Sequence, residues 1–360
     1  METIGFGNGA DGVAVLTGTD APIDSAAVGT AAATSLSATN PSFAAGQIIL
    51  VIQMQGTNAG KAELNRISSY VAGTITTTRP LAYTYSCTGN DKAQVIVVPQ
   101  HSKITMSGSF TGKAWDGTVG GIIAKFCNGE ATIDQSLLGT GIGYRGGPSA
   151  GTGEGTSGEG YPRYGVFQET ISNGNGAGGG VSAAPGKVGS AGGGGGHAAE
   201  GTQGGPGDGT GGGDGGLTIG DSTFDNLFPG GGGGAGSGNR TDQTGGAGGA
   251  GGGIILLFCQ SITVTGAIRS NGAVGSNAGS GAGGGGAGGL IFIRAGTATI
   301  GTGLITAKGA AGGIGGGSSG GAGGDGRIRI EACKITGTTD PSMTITTTAL
   351  PWCAGPMGIL

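Results

Sequence analysis

The stretch Gly252-Gly253-Ile254-Ile255-Leu256-Leu257-Phe258 opens a pattern that the chain uses again. It returns as Gly288-Gly289-Leu290-Ile291-Phe292-Ile293-Arg294, and a third copy begins at Asp325-Gly326. The offsets between copies are 36 and 37 residues. Each apolar run is short, rich in β-branched and aromatic residues and bounded by glycine, which is typical of a buried strand. Units of this length gain a core by stacking on their neighbours, so the repeat predicts a stack of strands.

An earlier copy of the unit begins at Gly120-Gly121 and runs on through Phe126. The next copy follows 132 residues later, roughly a hundred more than the other copies need. The surplus predicts an excursion that leaves the stack and returns to it. Cys127 and Cys259 occupy the same position in their copies, so if these coils are neighbours we expect the two thiols to stack as small buried hydrophobic groups.

These patterns predict an all-β fold, a β-solenoid-like stack of strand repeats with glycine-rich excursions. Before the repeats, strands are expected at Ile48–Gln55, at Glu63–Ile67 and at Gly73–Thr77, with a β-turn at Val71-Ala72-Gly73. The chain is thereby divided into an N-terminal edge or attachment segment (1–46), a compact β region grading into the solenoid (47–139), the glycine-rich excursion (140–251), β repeats with glycine-rich connections (252–339) and a C-terminal cap or tail (340–360).

Glycine dominates the composition, with 93 glycines in 360 residues against an average near 7 per cent. Such a chain loses much backbone entropy on folding, and disorder is the usual outcome. However, 36% of the residues are hydrophobic and only 11% are charged. Because disordered chains usually have the opposite balance, the composition favours a folded protein.

The excursion contains glycine tracts at 192–196 and 230–234. Such tracts can adopt the extended helix with three residues per turn, polyglycine II, and pack closely because no side chain holds the backbones apart. A flexible loop is the alternative. A disordered loop of this length inside a repeat stack would be unusual, so we favour packed polyglycine II helices.

Two aromatic islands interrupt the glycine, at Tyr161–Phe167 and Phe224–Pro229. Aromatic residues at loop tips on a rigid scaffold are typical of binding surfaces. Small hydrophobic plugs that anchor the excursion onto the stack are an equally good interpretation. The candidate receptor-binding residues are Tyr161, Tyr164, Phe167, Phe224 and Phe228.

Several classes of function are disfavoured by the sequence. A net charge of -4 provides no basic field for nucleic acid, and no apolar run approaches the roughly 20 residues that membrane insertion needs. The two histidines, His101 and His197, stand alone, and no catalytic motif or pair of carboxylates occurs. The segment Gly320–Ile328 nearly fits a calcium-binding nonapeptide, but Arg327 occupies its apolar position. We therefore predict no enzymatic activity, metal or cofactor.

Four further stretches complete a recognisable pattern: Phe43–Leu50, Gln53–Gly60, Ala114–Ile122 and Tyr144–Gly147. Together with the repeats, they resemble glycine-rich β-solenoid-like proteins found among phage tail proteins and surface proteins of environmental bacteria. The likeness spans most of residues 1–340. The glycine tracts are also similar in composition to distal adhesins of tailed phages, in which packed glycine helices display variable receptor-binding loops.

The resemblance implies a non-enzymatic virion tail protein of a tailed phage, an adhesin whose partners are a host-surface glycan or protein and other tail-fibre subunits. The N-terminus shows no secretory signal, which favours a virion protein exposed on the tail over one on a bacterial cell surface. The alternative is a structural subunit of an extracellular filament or surface layer, whose N-terminal segment pairs with the next subunit by strand addition. A polysaccharide depolymerase is disfavoured because acid–base pairs are scarce.

Overall fold

The computed structural model describes residues 5–162, 170–182, 184–208 and 210–346, without the side chains of 345 and 346. These residues are all-β and contain no helix, which confirms the predicted class; accordingly, they include no helix long and apolar enough to cross a membrane. Tyr164, Phe167 and the C-terminal residues 347–360 lie outside the described residues. The strands are β1 (Val13–Thr19), β2 (Asp24–Ala26), β3 (Val28–Gly29), β4 (Ser35–Ser37), β5 (Ile48–Gln55), β6 (Ala62–Val71), β7 (Thr74–Thr77), β8 (Lys92–Val97), β9 (Gln100–His101), β10 (Lys103–Thr111), β11 (Ile122–Ile133), β12 (Ser136–Leu138), β13 (Ile254–Val264), β14 (Ala267–Arg269), β15 (Leu290–Thr306), β16 (Arg327–Asp340) and β17 (Thr344–Thr346).

An antiparallel sheet is formed between residues 24 and 97, in the order β2-β8-β5-β6-β7-β4-β3. Its two outer strands, β2 and β3, follow each other directly in the chain, so the sheet curls round on itself. The hairpin of β6 and β7 turns at Ala72 and Gly73, whose φ angles of 46° and 85° are both positive. Two such residues form the tight turn that matches the twist of a hairpin, and the predicted strand pair and turn are confirmed.

The repeats pair in parallel with the register that their offsets predict. Ile122 lies opposite Ile254, Ile254 opposite Leu290, and Leu290 opposite Arg327. Six parallel strands form a closed cycle of pairings, in the order β10, β12, β14, β15, β13 and β11. Cys127 lies opposite Cys259 and both are buried, as their matching positions predict.

Alternate side chains of these strands enter two different cores. Ile123, Ile255 and Ile291 belong to a core enclosed by the parallel strands. Their neighbours Ile122 and Ile254 belong to a second core, which they share with apolar residues of the antiparallel sheet. Strand β5 is buried along its whole length because it contributes to the shared core and to the interior of its own sheet. The antiparallel sheet is thus fixed against one face of the parallel strands.

The glycine-rich segments pack side by side as a body that we call the glycine bundle. It comprises the glycine-rich segments of residues 139–160, 170–253, 270–289 and 307–326, within the described ranges. Backbone hydrogen bonds join these segments, and in the tract 192–196 every third residue donates to the same neighbouring segment. The N–H groups of Gly192 and Gly195 donate to the carbonyls of Ala282 and Gly285, those of Gly193 and Gly196 to Gly178 and Asn175, and that of Gly194 to Thr202.

Candidate functional site: the distal face of the glycine bundle

The segments of the glycine bundle reverse direction at one end, away from the aromatic islands, and the reversals form a surface that we call the distal face. Neighbouring reversals are in direct contact through ion pairs and hydrogen bonds. Arg240 Nη2 lies 3.4 Å from Glu154 Oε1, the N–H of Gly186 donates to the Asn239 carbonyl over 3.1 Å, and the N–H of Val188 donates to Asp208 Oδ2 over 3.2 Å. The reversals lie at residues 148–154, 184–188, 206–208 with 210, 240–244, 274–279 and 311–319.

Asn239 fixes the reversal at 240–243. Its Oδ1 accepts the N–H groups of Thr241, Asp242 and Gln243 at 3.0, 3.0 and 2.9 Å. Its Nδ2 donates to Asp242 Oδ1 over 2.8 Å, and this bond lowers the pKa of the Asp242 carboxyl. Asparagine side chains commonly organise turns in this way. The exposed side chains of Thr241 and Gln243 therefore stand on a backbone that is already fixed.

Asn277 has the same role where two repeats meet. Its Oδ1 accepts the N–H of Ile314 over 2.7 Å, although the two residues are 37 positions apart in sequence. The Ile314 side chain is 71% exposed, and Val274 on the adjoining segment is also exposed. An exposed isoleucine on a hydrogen-bonded tip gives the distal face an apolar contact point among hydroxyl and amide groups.

Buried serines tie the segments together just beneath the distal face. Ser237 Oγ lies within hydrogen-bond distance of the carbonyls of Val181 and Ser190, at 2.6 and 3.0 Å. Ser280 Oγ accepts the N–H of Gly189, and Ser318 Oγ accepts that of Ala191, each over 2.8 Å. These hydroxyls join segments far apart in the sequence, so the residues beneath the distal face are held together by side-chain hydrogen bonds.

The aromatic islands lie at the opposite end of the bundle, where it meets the antiparallel sheet. Phe224 and Phe228 are each 6% exposed, and Tyr161 is half-buried. The Tyr161 and Phe228 rings meet edge to face at 5.7 Å, and Phe224 meets Phe292 of the parallel strands at 5.6 Å. This packing matches the plug interpretation for the described islands. A receptor-binding role for Tyr161, Phe224 and Phe228 stays a prediction.

Both islands dock on the loop that follows β5. The N–H of Gly56 donates to the Tyr161 carbonyl, and the N–H of Leu227 donates to the Gly60 carbonyl, both over 2.8 Å. Gly60 has a φ of +85°, and a Cβ there would lie 2.4 Å from the Phe228 ring. The sheet and the bundle are therefore joined by a fit that admits only glycine at this position.

A buried ionic network strengthens the same joint. Arg145 Nε donates to Glu159 Oε2 over 2.9 Å, and the Glu159 side chain is fully buried. Gln55 Nε2, from the end of β5, donates to Glu159 Oε1 over 3.2 Å and to the Gly160 carbonyl over 2.8 Å. Removal of one member of such a network leaves a buried charge without compensation, so the network fixes the orientation of the bundle on the sheet.

The described part of the chain offers no candidate metal centre, and the histidine of the glycine bundle is buried. No group of three or more His, Cys, Asp and Glu side chains there could hold a metal ion. His197 is buried, and its Nε2 donates to the Phe228 carbonyl over 3.0 Å. Burial, together with the nearby charge of Arg327, lowers the pKa of His197 to about 3. The imidazole is therefore neutral and acts as a structural donor.

No protein-family model matches the chain, and no curated protein matches it. Among solved structures, the chain is similar to a tailspike of Acinetobacter baumannii bacteriophage AP22 that was solved in complex with A. baumannii capsular saccharide, at 8% sequence identity and a TM-score of 0.22. The match covers 91% of this chain and 58% of the tailspike chain.

Proposed function

We propose that the protein is a non-enzymatic adhesin of a phage tail, which presents the distal face to a glycan or protein on the host surface. The observation that carries the proposal is the construction of that face. Its tips come from several distant parts of the sequence, and side-chain amides such as that of Asn239 hold their backbones in place. Binding then costs little ordering entropy, because the contact surface is already formed.

In the proposed scaffold the glycine segments are polyglycine II helices and the parallel strands form a solenoid-like stack. The three-residue period of the hydrogen bonds from 192–196 supports the first part, since this helix has three residues per turn. The in-register pairing of Ile254 with Leu290 and of Leu290 with Arg327 supports the second. Such a scaffold allows tip residues to differ without disturbing the packing beneath, as binding loops on rigid frameworks generally do.

Two exposed apolar residues allow a matched test. Ile314 on the distal face is 71% exposed, and Val71 on the antiparallel hairpin is 69% exposed. We expect Ile314→Asp to weaken saturable binding to host cells about tenfold or more, since a central apolar contact is worth upwards of about 1 kcal/mol. Val71→Asp should bind as the unchanged protein does. Binding is measured with purified, labelled protein on whole cells from its source community.

The outcome that contradicts the proposal is equally specific. Loss of binding in Val71→Asp with full binding in Ile314→Asp would place the contact surface on the antiparallel sheet. Absence of saturable binding to any cell type tested would remove the adhesin function itself. Both variants change exposed side chains, so their thermal unfolding should match that of the unchanged protein within about 0.5 kcal/mol.

A further inference from the structure

Two free thiols face each other across adjacent parallel strands. Cys127 in β11 lies directly opposite Cys259 in β13, and both side chains belong to the core that the parallel strands enclose. Neighbouring strands are about 4.8 Å apart, and disulfides join residues whose Cα atoms are about 4.4–6.8 Å apart. The two thiols already form a hydrogen bond to each other. A disulfide between them therefore needs only small movements of the two side chains.

A third free thiol, that of Cys87, provides an internal comparison. Cys87 packs against the core of the antiparallel sheet, a core that contains neither Cys127 nor Cys259. Its Sγ lies 3.3 Å from the carbonyl oxygen of Ala27 and 3.2 Å from that of Ala93. Cys87 should therefore stay a thiol under conditions that join the other two cysteines.

The two facing thiols differ in acidity. The hydrogen bond from Cys259 lowers the pKa of Cys127 to about 7, whereas this bond and burial raise the pKa of Cys259. The thiolate is the reactive form of cysteine, so Cys127 is the thiol that reacts first with an oxidant. Cys127 also ends a buried run of β11, because Asn128 directly after it is exposed and the register with β13 shifts there. A small neutral oxidant therefore has a short path to this sulfur.

The chain already contains a disulfide, at Cys333. Disulfides form and persist in oxidising surroundings and are rare where thiols are kept reduced. The pair in β11 and β13 therefore meets conditions under which a disulfide is stable.

We propose that Cys127 and Cys259 form a disulfide when the protein meets a peroxide, and that this bond ties together the two strands that flank the glycine-rich excursion. The Cys127 thiolate attacks one oxygen of hydrogen peroxide, the O–O bond breaks, and a sulfenic acid and a hydroxide ion result. The Cys259 sulfur then attacks Cys127 Sγ. The S–S bond forms, and the sulfenic hydroxyl leaves as water with the proton of the Cys259 thiol. Two electrons pass from the pair of sulfurs to the peroxide.

The position of the pair gives the bond its structural effect. Strand β11 precedes the excursion and β13 follows it, so the whole of residues 140–251 lies between the two cysteines. A disulfide there closes a loop of more than a hundred residues, and a cross-link that closes a long loop restricts the unfolded chain strongly. The bond therefore holds together the strands from which the glycine bundle departs and to which it returns.

The test uses the full chain, treated with a small molar excess of hydrogen peroxide, then denatured and alkylated without reductant. Mass spectrometry of the digest should show the peptides of Cys127 and Cys259 joined and Cys87 alkylated. In Cys259→Ala the second thiol is missing, so Cys127 should stop at the sulfenic acid, which dimedone labels.

Thermal unfolding gives a second readout. Peroxide should raise the Tm of the unchanged protein by roughly 5–10 °C, the shift expected for closing a loop of this length. The Tm of Cys127→Ala combined with Cys259→Ala should not rise. Each protein is compared with its own untreated sample, so the effect of the substitutions themselves cancels.

Two results would overturn the proposal. The first is that Cys127 and Cys259 are both alkylated after peroxide treatment of the unchanged protein. The second is a disulfide that joins either of them to Cys87, since the facing geometry would then not select the partner. These readouts do not involve cell binding, so failure of this proposal and failure of the adhesin proposal are distinguishable.

Discussion

Arg294 covers the ring of Phe258 in the neighbouring strand, with its guanidinium carbon 4.9 Å from the ring centroid. Phe258 in turn stacks on Phe126 at 5.1 Å, with the rings 10° from parallel. These residues and Glu331 occupy one register position in four successive strands. Along this column, two aromatic rings are followed by a cation and then by an anion. The cation and the anion form an ion pair, with Arg294 Nη2 2.8 Å from Glu331 Oε2.

Replacement of this cation should destabilise the parallel strands. Arg294→Leu removes the ring contacts and one of the two arginines that neutralise Glu331; Arg329 Nη2, at 2.8 Å, remains. We expect a loss of roughly 2 kcal/mol in the free energy of unfolding, the usual range for hydrogen bonds to charged groups. Urea unfolding measures it. Arg294→Leu combined with Glu331→Leu should recover part of the loss, and a double variant that is less stable than the single one would contradict the assigned role.

Gly194 tests whether the bundle depends on glycine for close packing. A Cβ at this position would lie 1.9 Å from the carbonyl oxygen of Ala322, whereas a Cβ at Gly211 would meet nothing within 4 Å. Gly194→Ala should cost about 3 kcal/mol or more, because backbone rather than a flexible side chain has to move. Gly211→Ala should be neutral or stabilising by up to about 1 kcal/mol, since it reduces the entropy of the unfolded chain. Equal effects at the two positions in thermal unfolding would contradict the packed bundle.

Local sequence patterns predict the strands. The burial of the aromatic islands and the position of the distal face depend on contacts between residues far apart in the sequence, which local patterns do not indicate. The offset between Ile254 and Leu290 predicted their pairing, because a repeat that cannot close its own core stacks in register. The burial of Phe228 depends on Gly60, a docking partner more than a hundred residues away that no local pattern indicates. The distal face was missed for a similar reason.

A sequence signal for the distal face does exist in hindsight. The run Asn239–Gln243 interrupts glycine with polar residues, and Asn277 stands alone between small residues. Asparagine in such a setting indicates a reversal whose backbone it organises. These reversals meet on one surface because the glycine-rich segments pack side by side. The composition alone does not indicate this packing, since it is compatible with both a packed bundle and a flexible loop.

Phe228 separates the two interpretations of the aromatic islands. Phe228→Ala should cost about 3–5 kcal/mol of stability, the usual range for a buried phenylalanine, because the ring fills the space between Tyr161 and Gly60. Denaturant unfolding and cell binding should be measured on the same preparation, with Phe228→Leu as the smaller change. A variant that keeps its stability but no longer binds cells would instead support Phe228 as a receptor contact.

His197 predicts a dependence of stability on pH. Its pKa falls to about 3 in the folded chain, below the value near 6.5 for an exposed histidine. Between these two pH values the unfolded chain binds a proton at His197 that the folded chain does not bind. The contribution of His197 to the free energy of unfolding is therefore complete above about pH 6.5 and is lost as the pH falls towards 3. The slope attributable to this group approaches about 1.4 kcal/mol per pH unit. His197→Gln keeps a donor for the Phe228 carbonyl without the titration, so its unfolding free energy should fall less steeply between about pH 6.5 and 4; identical slopes would show that His197 is protonated in the folded chain.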